Sequence, residues 1–260
     1  MTTHASHSIH KEQVLQDHLI EQLVTSEGYE LRDEKVDHDR ALAMDKALVL
    51  RFVQDTQREE WSKLEAHYTA SAEETFFTQL AKALKDRGLL DVLRQGIKIV
   101  PAIKFSLCFF QPASALEPKR VAEYEANILS VMKEVEYSQK HGGRLDIVLF
   151  INGLPVATME AKNLLTGSTF KHAEKQYRSD RSPAGEPLLT FKRGALVHFA
   201  FDEDNVSMTT RLANDRTRFL PLTEAVRVGQ ETTTSKESSA SPIFTAMATG
   251  GGRSSPAMCC

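Results

Sequence analysis

Two carboxylates and a lysine stand where a hairpin can gather them. Asp146 lies near the start of the run R-L-D-I-V-L-F-I-N-G-L-P-V-A-T-M-E-A-K-N, residues 144–163, and Glu160-Ala161-Lys162 lies near its end. Asn152-Gly153 between them is a hairpin signal, because both residues tolerate positive φ. Pro155 cannot donate to a ladder and suits the start of the second strand. Side chains alternate along a strand, so Glu160 and Lys162 share a face and Ala161 points away. Asp146 joins them when each cross-strand pair of residue numbers has an even sum. That predicts an odd loop, Asn152-Gly153-Leu154, and sets Asp146 opposite Glu160. Like charges so placed are costly unless something binds between them. Mg²⁺ is the natural guest, since it takes one or two carboxylates, keeps several waters and bridges to phosphate oxygens. Lys162 is then placed to orient a water or to meet charge developing on phosphorus. The bland alternative is a solvated hairpin with an exposed Glu160–Lys162 pair, and a bare D…ExK usually means that. Here the flanks are apolar on both faces, which indicates a central, buried strand pair.

The same segment, Asp146 to Asn163, resembles the nuclease motif of the restriction (R) subunit of type I restriction-modification enzymes, within the PD-(D/E)xK class of metal-dependent nucleases. Its pattern is Asp146, thirteen intervening residues, then Glu160-Ala161-Lys162. The resemblance runs from about Gln13 to Pro221. It implies an α/β fold with a mixed central β-sheet flanked by helices. It also implies Mg²⁺-dependent hydrolysis of DNA phosphodiester bonds, with the metal held by Asp146, Glu160 and the carbonyl of Ala161. Related nucleases carry a glutamine after the lysine, which matches Gln176. The tyrosine expected four residues later is replaced by Asp180, and Tyr177 directly follows the glutamine. A further acid is common on the N-terminal helix; Gln16 stands there, with Asp17 or Glu12 as substitutes. The partners implied are double-stranded DNA and the specificity and methyltransferase subunits of a restriction complex. ATP belongs to the family's motor domain.

The whole chain has 260 residues, 41% of them hydrophobic, and a formal net charge of −3. The charge gives no global nucleic-acid signature, so a DNA surface must be local. Three cysteines, two of them the terminal Cys259-Cys260, argue against a disulfide framework and for a reducing compartment. Cys108, in an apolar run, reads as a core thiol. No apolar run is long enough to span a bilayer and no signal peptide is evident, so the expectation is a soluble cytoplasmic protein.

The elements around the hairpin follow from periodicity. Val14, Leu15, Leu19, Ile20, Leu23 and Val24 recur at helical spacing from His10 to Ser26, and Gly28 ends the pattern. This helix is expected beside the site. Ala41 to Leu64 reads as one helix, with Trp61 as a packing residue. Ser71 and Glu74 form a candidate capping box for a third helix that Gly88 closes. Ile97 to Phe110 reads as a strand or two, Ile128 to Tyr137 as the strand before the hairpin. Ser168 to Ser179 reads as a helix whose Lys171, Lys175, Tyr177, Arg178 and, just beyond, Arg181 could hold a phosphodiester backbone; the alternative is a solvated helix face. Ala195–Phe201 and Val206–Leu212 form a second hairpin, with His198 as a core histidine.

The resemblance stops after Phe219-Leu220-Pro221. Residues 222–260 are Ser/Thr/Gly-rich and expected to be disordered. No G-x-x-x-x-G-K-[ST] occurs, so the expectation is an R-subunit nuclease domain, residues 1–221, cut short before the motor. The competing reading is a non-catalytic remnant that only binds DNA or partner subunits.

Overall fold

In the computed structural model, residues 3–114, 116–163 and 167–222 are described, with side chains from residue 13 onward. In chain order the elements are α1 (Thr3–Glu27), β1 (Glu30–Arg32), α2 (Glu34–Asp37), β2 (His38–Asp39), β3 (Met44–Asp45), α3 (Lys46–Thr56), α4 (Arg58–Tyr68), α5 (Ala72–Asp86), α6 (Leu89–Gln95), β4 (Ile97–Ile99), β5 (Ile103–Phe105), α7 (Pro118–Glu125), β6 (Leu129–Glu136), β7 (Arg144–Ile151), β8 (Leu154–Ala161), α8 (Phe170–Ser179), β9 (Val197–Phe201), β10 (Val206–Thr209) and β11 (Leu220–Pro221). Seven strands form one sheet in the order β1-β6-β7-β8-β9-β10-β11. β6, β7 and β8 are an antiparallel meander, while β8 pairs β9 in parallel through the α8 crossover. The sheet is therefore mixed and flanked by helices, the α/β architecture that the motif implies. None of the described helices is long and apolar enough to cross a membrane.

Alternation sorts the sheet's two faces. Ile147 and Leu149 of β7, with Ala157, Met159 and Ala161 of β8, pack against Leu19, Ile20 and Leu23 of α1. Val148 and Phe150 face the other way, onto Ala173 and Tyr177 of α8. A third cluster joins α3–α6 and the β4–β5 ribbon to Ile151 and Leu154, the residues that flank the hairpin turn. The β7–β8 hairpin is thus buried from both faces and from its tip, as its apolar flanks suggested.

The turn differs from the odd loop expected. Ile151 pairs Leu154, so the loop is the two residues Asn152 and Gly153, with φ of 50° and 79°. Left alone, that even loop would turn Asp146 and Glu160 to opposite faces. The ladder then jumps from Phe150↔Pro155 to Leu149↔Ala157, leaving Val156 as an extra residue in β8. This bulge restores the even sum, and Ile147↔Met159 carries on toward Asp146 opposite Glu160. Asn152 is fully buried; its Oδ1 accepts from Ile128 N–H at 2.7 Å, and its Nδ2 donates to Leu107 O and Asn127 Oδ1, each at 2.9 Å. At Gly153 an added Cβ would meet Asp45 O at 2.3 Å, so only glycine fits.

Several helical expectations are corrected. The single helix over 41–64 is two, α3 and α4, broken at Gln57, whose side chain leaves the helix to hold both backbone groups of Ser106 at 2.7 and 2.9 Å. Asp45 starts α3 by accepting from Leu48 N–H at 2.9 Å. The Ser71–Glu74 capping box does not form; Ser71 Oγ donates instead to Tyr68 O. Gly88 does close α5, with φ 87°, and at once opens α6. Ile97 to Phe105 is two strands of a separate small ribbon. The expected tail beyond residue 222 lies outside the described residues.

Candidate active site

Asp146 and Glu160 are brought together at the end of the hairpin remote from its turn. Asp146 is partly buried on β7, and its Oδ2 accepts from the backbone N–H of Ala161 at 2.7 Å. Burial pushes its pKa up to about 6; the Ala161 N–H and Lys162 oppose the rise, and Glu134 adds to it. Glu160 is fully buried. Burial first, then the charge of Asp146, raises its pKa to about 8, against the pull of Arg181. Its Oε1 accepts from Arg181 Nε at 2.7 Å, and its Oε2 has no partner. Lys162, just past β8, is half-buried and donates its backbone N–H to Phe201 O at 2.9 Å; its charge lowers the pKa of both acids.

The sheet face that carries this pair is the α8 face. Tyr177 is buried there, its OH 2.8 Å from Thr158 Oγ1, and its ring lies against His198. His198 Nδ1 is 2.7 Å from the same hydroxyl, and burial lowers its pKa to about 3, which makes it the core histidine expected. Gln176 is half-buried one position earlier. The N-terminal helix lies elsewhere: α1 covers the opposite face through Leu19, Ile20 and Leu23. Gln16 is buried with its amide oxygen unpartnered, Asp17 pairs with Lys133 at the surface, and the Glu12 side chain is outside those described.

The basic residues after the hairpin are mostly engaged within the chain. Lys171 Nζ and Arg178 Nη2 both bind the buried carboxylate of Glu174, at 3.0 and 3.2 Å. Arg178 also donates to Thr217 O at 3.1 Å and lies over Phe219. Arg181, 11% exposed, is held by Glu160 and lies over Tyr137. Of the expected contacts Lys171 and Lys175 are exposed, Lys171 while paired with Glu174, and the buried Tyr177 has no face to offer a nucleic acid. Three features escaped sequence reasoning: the Arg181–Glu160 pair, the bulge at Val156, and Glu134. The last, with φ 53°, sits between the β6 residues that pair Ile147 and Leu145. Only the register reveals it.

Chemically, the pair is two acids whose charges oppose each other in a dry place, with one buried oxygen lacking a donor. That donor set suits a hard divalent cation needing one or two carboxylates and water. Among the described residues no group of three or more His, Cys, Asp or Glu side chains could hold a metal ion. Any such ion must therefore draw on backbone oxygen or water for its remaining ligands.

The family model described as the type I restriction enzyme R protein N terminus matches residues 9–217. No curated protein matches the chain significantly.

Proposed function

We propose that this chain, which belongs to the type I restriction enzyme R protein N-terminus family, is a metal-dependent endonuclease domain that hydrolyses DNA phosphodiester bonds. The observation that carries the reading is the buried, donorless Oε2 of Glu160 set beside Asp146. A carboxylate whose pKa is raised by burial and by a neighbouring carboxylate is costly to ionise, and a bound cation relieves the cost.

In this reading Asp146 and Glu160, with the carbonyl of Ala161, hold Mg²⁺. A bound Mg²⁺ supplies a water of lowered pKa and neutralises charge on the phosphate. The chain's own residues prepare the rest. The Ala161 N–H fixes the Asp146 carboxylate at 2.7 Å. Lys162 adds positive charge where the phosphorus oxygens gain negative charge. Gln176, on the helix over the site, orients substrate or water. The nuclease domain comprises residues 1–221, with double-stranded DNA as substrate. Specificity and methyltransferase subunits are the partners that direct it.

A second reading, a non-catalytic member that only docks, draws on Arg181. Its guanidinium already neutralises Glu160, and it does so without a metal. Calorimetric titration with Mg²⁺, followed by nicking of supercoiled plasmid, separates the two. The nuclease reading expects Mg²⁺ binding that disappears in Asp146→Ala, and nicking that disappears with it. Nicking that survives Asp146→Ala, or a chain that binds no divalent cation, overturns it.

A further inference from the structure

The basic residues nearest the acidic pair are mostly held by Glu174 and Glu160, so their charge is largely spent within the chain. A second basic cluster lies elsewhere, on the β4–β5 ribbon and the helix beside it. Lys98 and Lys104 are direct cross-strand partners in that ribbon, and both are exposed. Like charges directly opposite one another destabilise a strand pair. The ribbon holds them there by its other face, where Ile97, Ile99, Ile103 and Phe105 are buried. Arg87 Nη2 donates to Gly96 O and Gln57 grips Ser106 at the open end of the ribbon, and Tyr68 OH donates to Val100 O at 2.9 Å at its turn, so both ends are fixed.

Lys82 of α5 and Arg87 line the same open cleft of about 540 Å³, together with Lys98 and Lys104. Asp86 is the one acid in its lining, and Arg87 is paired with Asp91 at 3.2 Å on the rim. Lys82, Lys98 and Lys104 enter no ion pair among the described residues. Gln79 and Gln95 add neutral donors to the lining. On a chain of net charge −3, this is positive charge gathered in a concave place and left uncompensated.

We propose that the Lys98–Lys104 ribbon, with Lys82 and Arg87, is a docking surface for the phosphate backbone of duplex DNA. The inference rests on the nuclease reading for its choice of polyanion. Lysines act as mobile point charges, which suits backbone binding without sequence preference. The ribbon fixes the backbone that carries them, so only the lysine side chains need to be ordered on binding.

The test is fluorescence anisotropy of a labelled duplex with the full chain in EDTA, across a salt series, beside Mg²⁺-dependent plasmid nicking. Replacing Lys98 and Lys104 together by alanine removes two phosphate contacts. The slope of log affinity against log salt should then become shallower by roughly 1.8. The variant's thermal midpoint should stay or rise, because the cross-strand repulsion is gone. Lys98→Glu should gain stability by facing Lys104 while losing DNA affinity, a split that a purely structural role cannot produce. An unchanged slope in the double variant overturns the proposal, as does lysine-dependent binding of labelled polyglutamate by a chain that does not bind the duplex. Wild-type chain that binds duplex with the lysine-dependent slope yet never nicks supports the surface and sinks the nuclease reading. Nicking with a lysine-independent slope does the reverse.

Discussion

Arg181 Nε donates to Glu160 Oε1 at 2.7 Å, with the two side chains 11% and 0% exposed, and the second oxygen of that carboxylate is left without a donor. A cation already stands on one side of Glu160, and on the other side the carboxylate presents a buried oxygen with no donor. Breaking a buried pair by removing one partner leaves the other charge uncompensated, which typically costs about 3–5 kcal/mol. Arg181→Ala should therefore lose stability in denaturant unfolding, by less than that scale at pH 7, where Glu160 with its pKa raised to about 8 can take up a proton, and by more at pH 9. Mg²⁺ should restore part of the loss, and the double change Arg181→Met with Glu160→Gln should restore most of it without metal. A single variant as stable as the parent would mean that the pair contributes nothing.

Asp146→Asn should abolish metal-dependent nicking and stabilise the metal-free chain at pH 8. The asparagine oxygen still accepts from Ala161 N–H, while the charge facing Glu160 is gone. The sign follows from the raised folded pKa of Asp146, about 6. The parent's stability from this group is complete below the unfolded carboxylate value and is lost as pH rises through about 6. The advantage of the variant should consequently vanish near pH 4. Equal unfolding midpoints at both pH values would contradict this.

Lys162→Ala should leave Mg²⁺ affinity largely intact and slow turnover by roughly 10²–10³-fold, the usual cost of losing one electrostatic stabiliser. Single-turnover nicking at saturating Mg²⁺ measures it. ATP should change neither rate.

Deleting Val156 should be far more damaging than replacing it. Without the bulge residue, Ala157, Met159 and Ala161 would turn from the α1 core to the other face, and Glu160 would turn with them. Thermal unfolding followed by circular dichroism should lose its cooperative transition in the deletion, while Val156→Ala keeps it.

His198 sets an acid limb to stability. Its folded pKa, about 3, lies below the usual 6.5, so its contribution is present above 6.5 and is lost as pH falls toward 3. One such proton steepens the pH dependence by up to about 1.4 kcal/mol per unit. His198→Gln should flatten that limb in urea midpoints measured from pH 7 to pH 4.

The hairpin was legible in sequence because three local signals agreed: Asn152-Gly153, the apolar flanks and the alternation around Glu160. The sheet strands on either side were legible for the same reason. Sequence failed where a side chain reaches far along the chain. Gln57 breaks a helix for the sake of Ser106, 49 positions away. Arg181 abandons solvent for Glu160, 21 positions back. The bulge at Val156 was hidden because two errors of one residue, in the loop and in the strand, cancel. The facing of Asp146 and Glu160 was thus anticipated by way of a loop that does not exist.

Asn152 ties the hairpin turn to Leu107, Asn127 and Ile128, on the side where the β4–β5 ribbon packs. The acids stand at the other end of the same strands. At about 3.3 Å per residue, Gly153 and Glu160 are separated by roughly 23 Å. At 3.4 Å of axis per base pair, that is the length of about seven base pairs. The anchored hairpin therefore acts as a ruler: under the proposed contact at the ribbon beyond the buried turn, a duplex shorter than about seven base pairs could not also meet the acids.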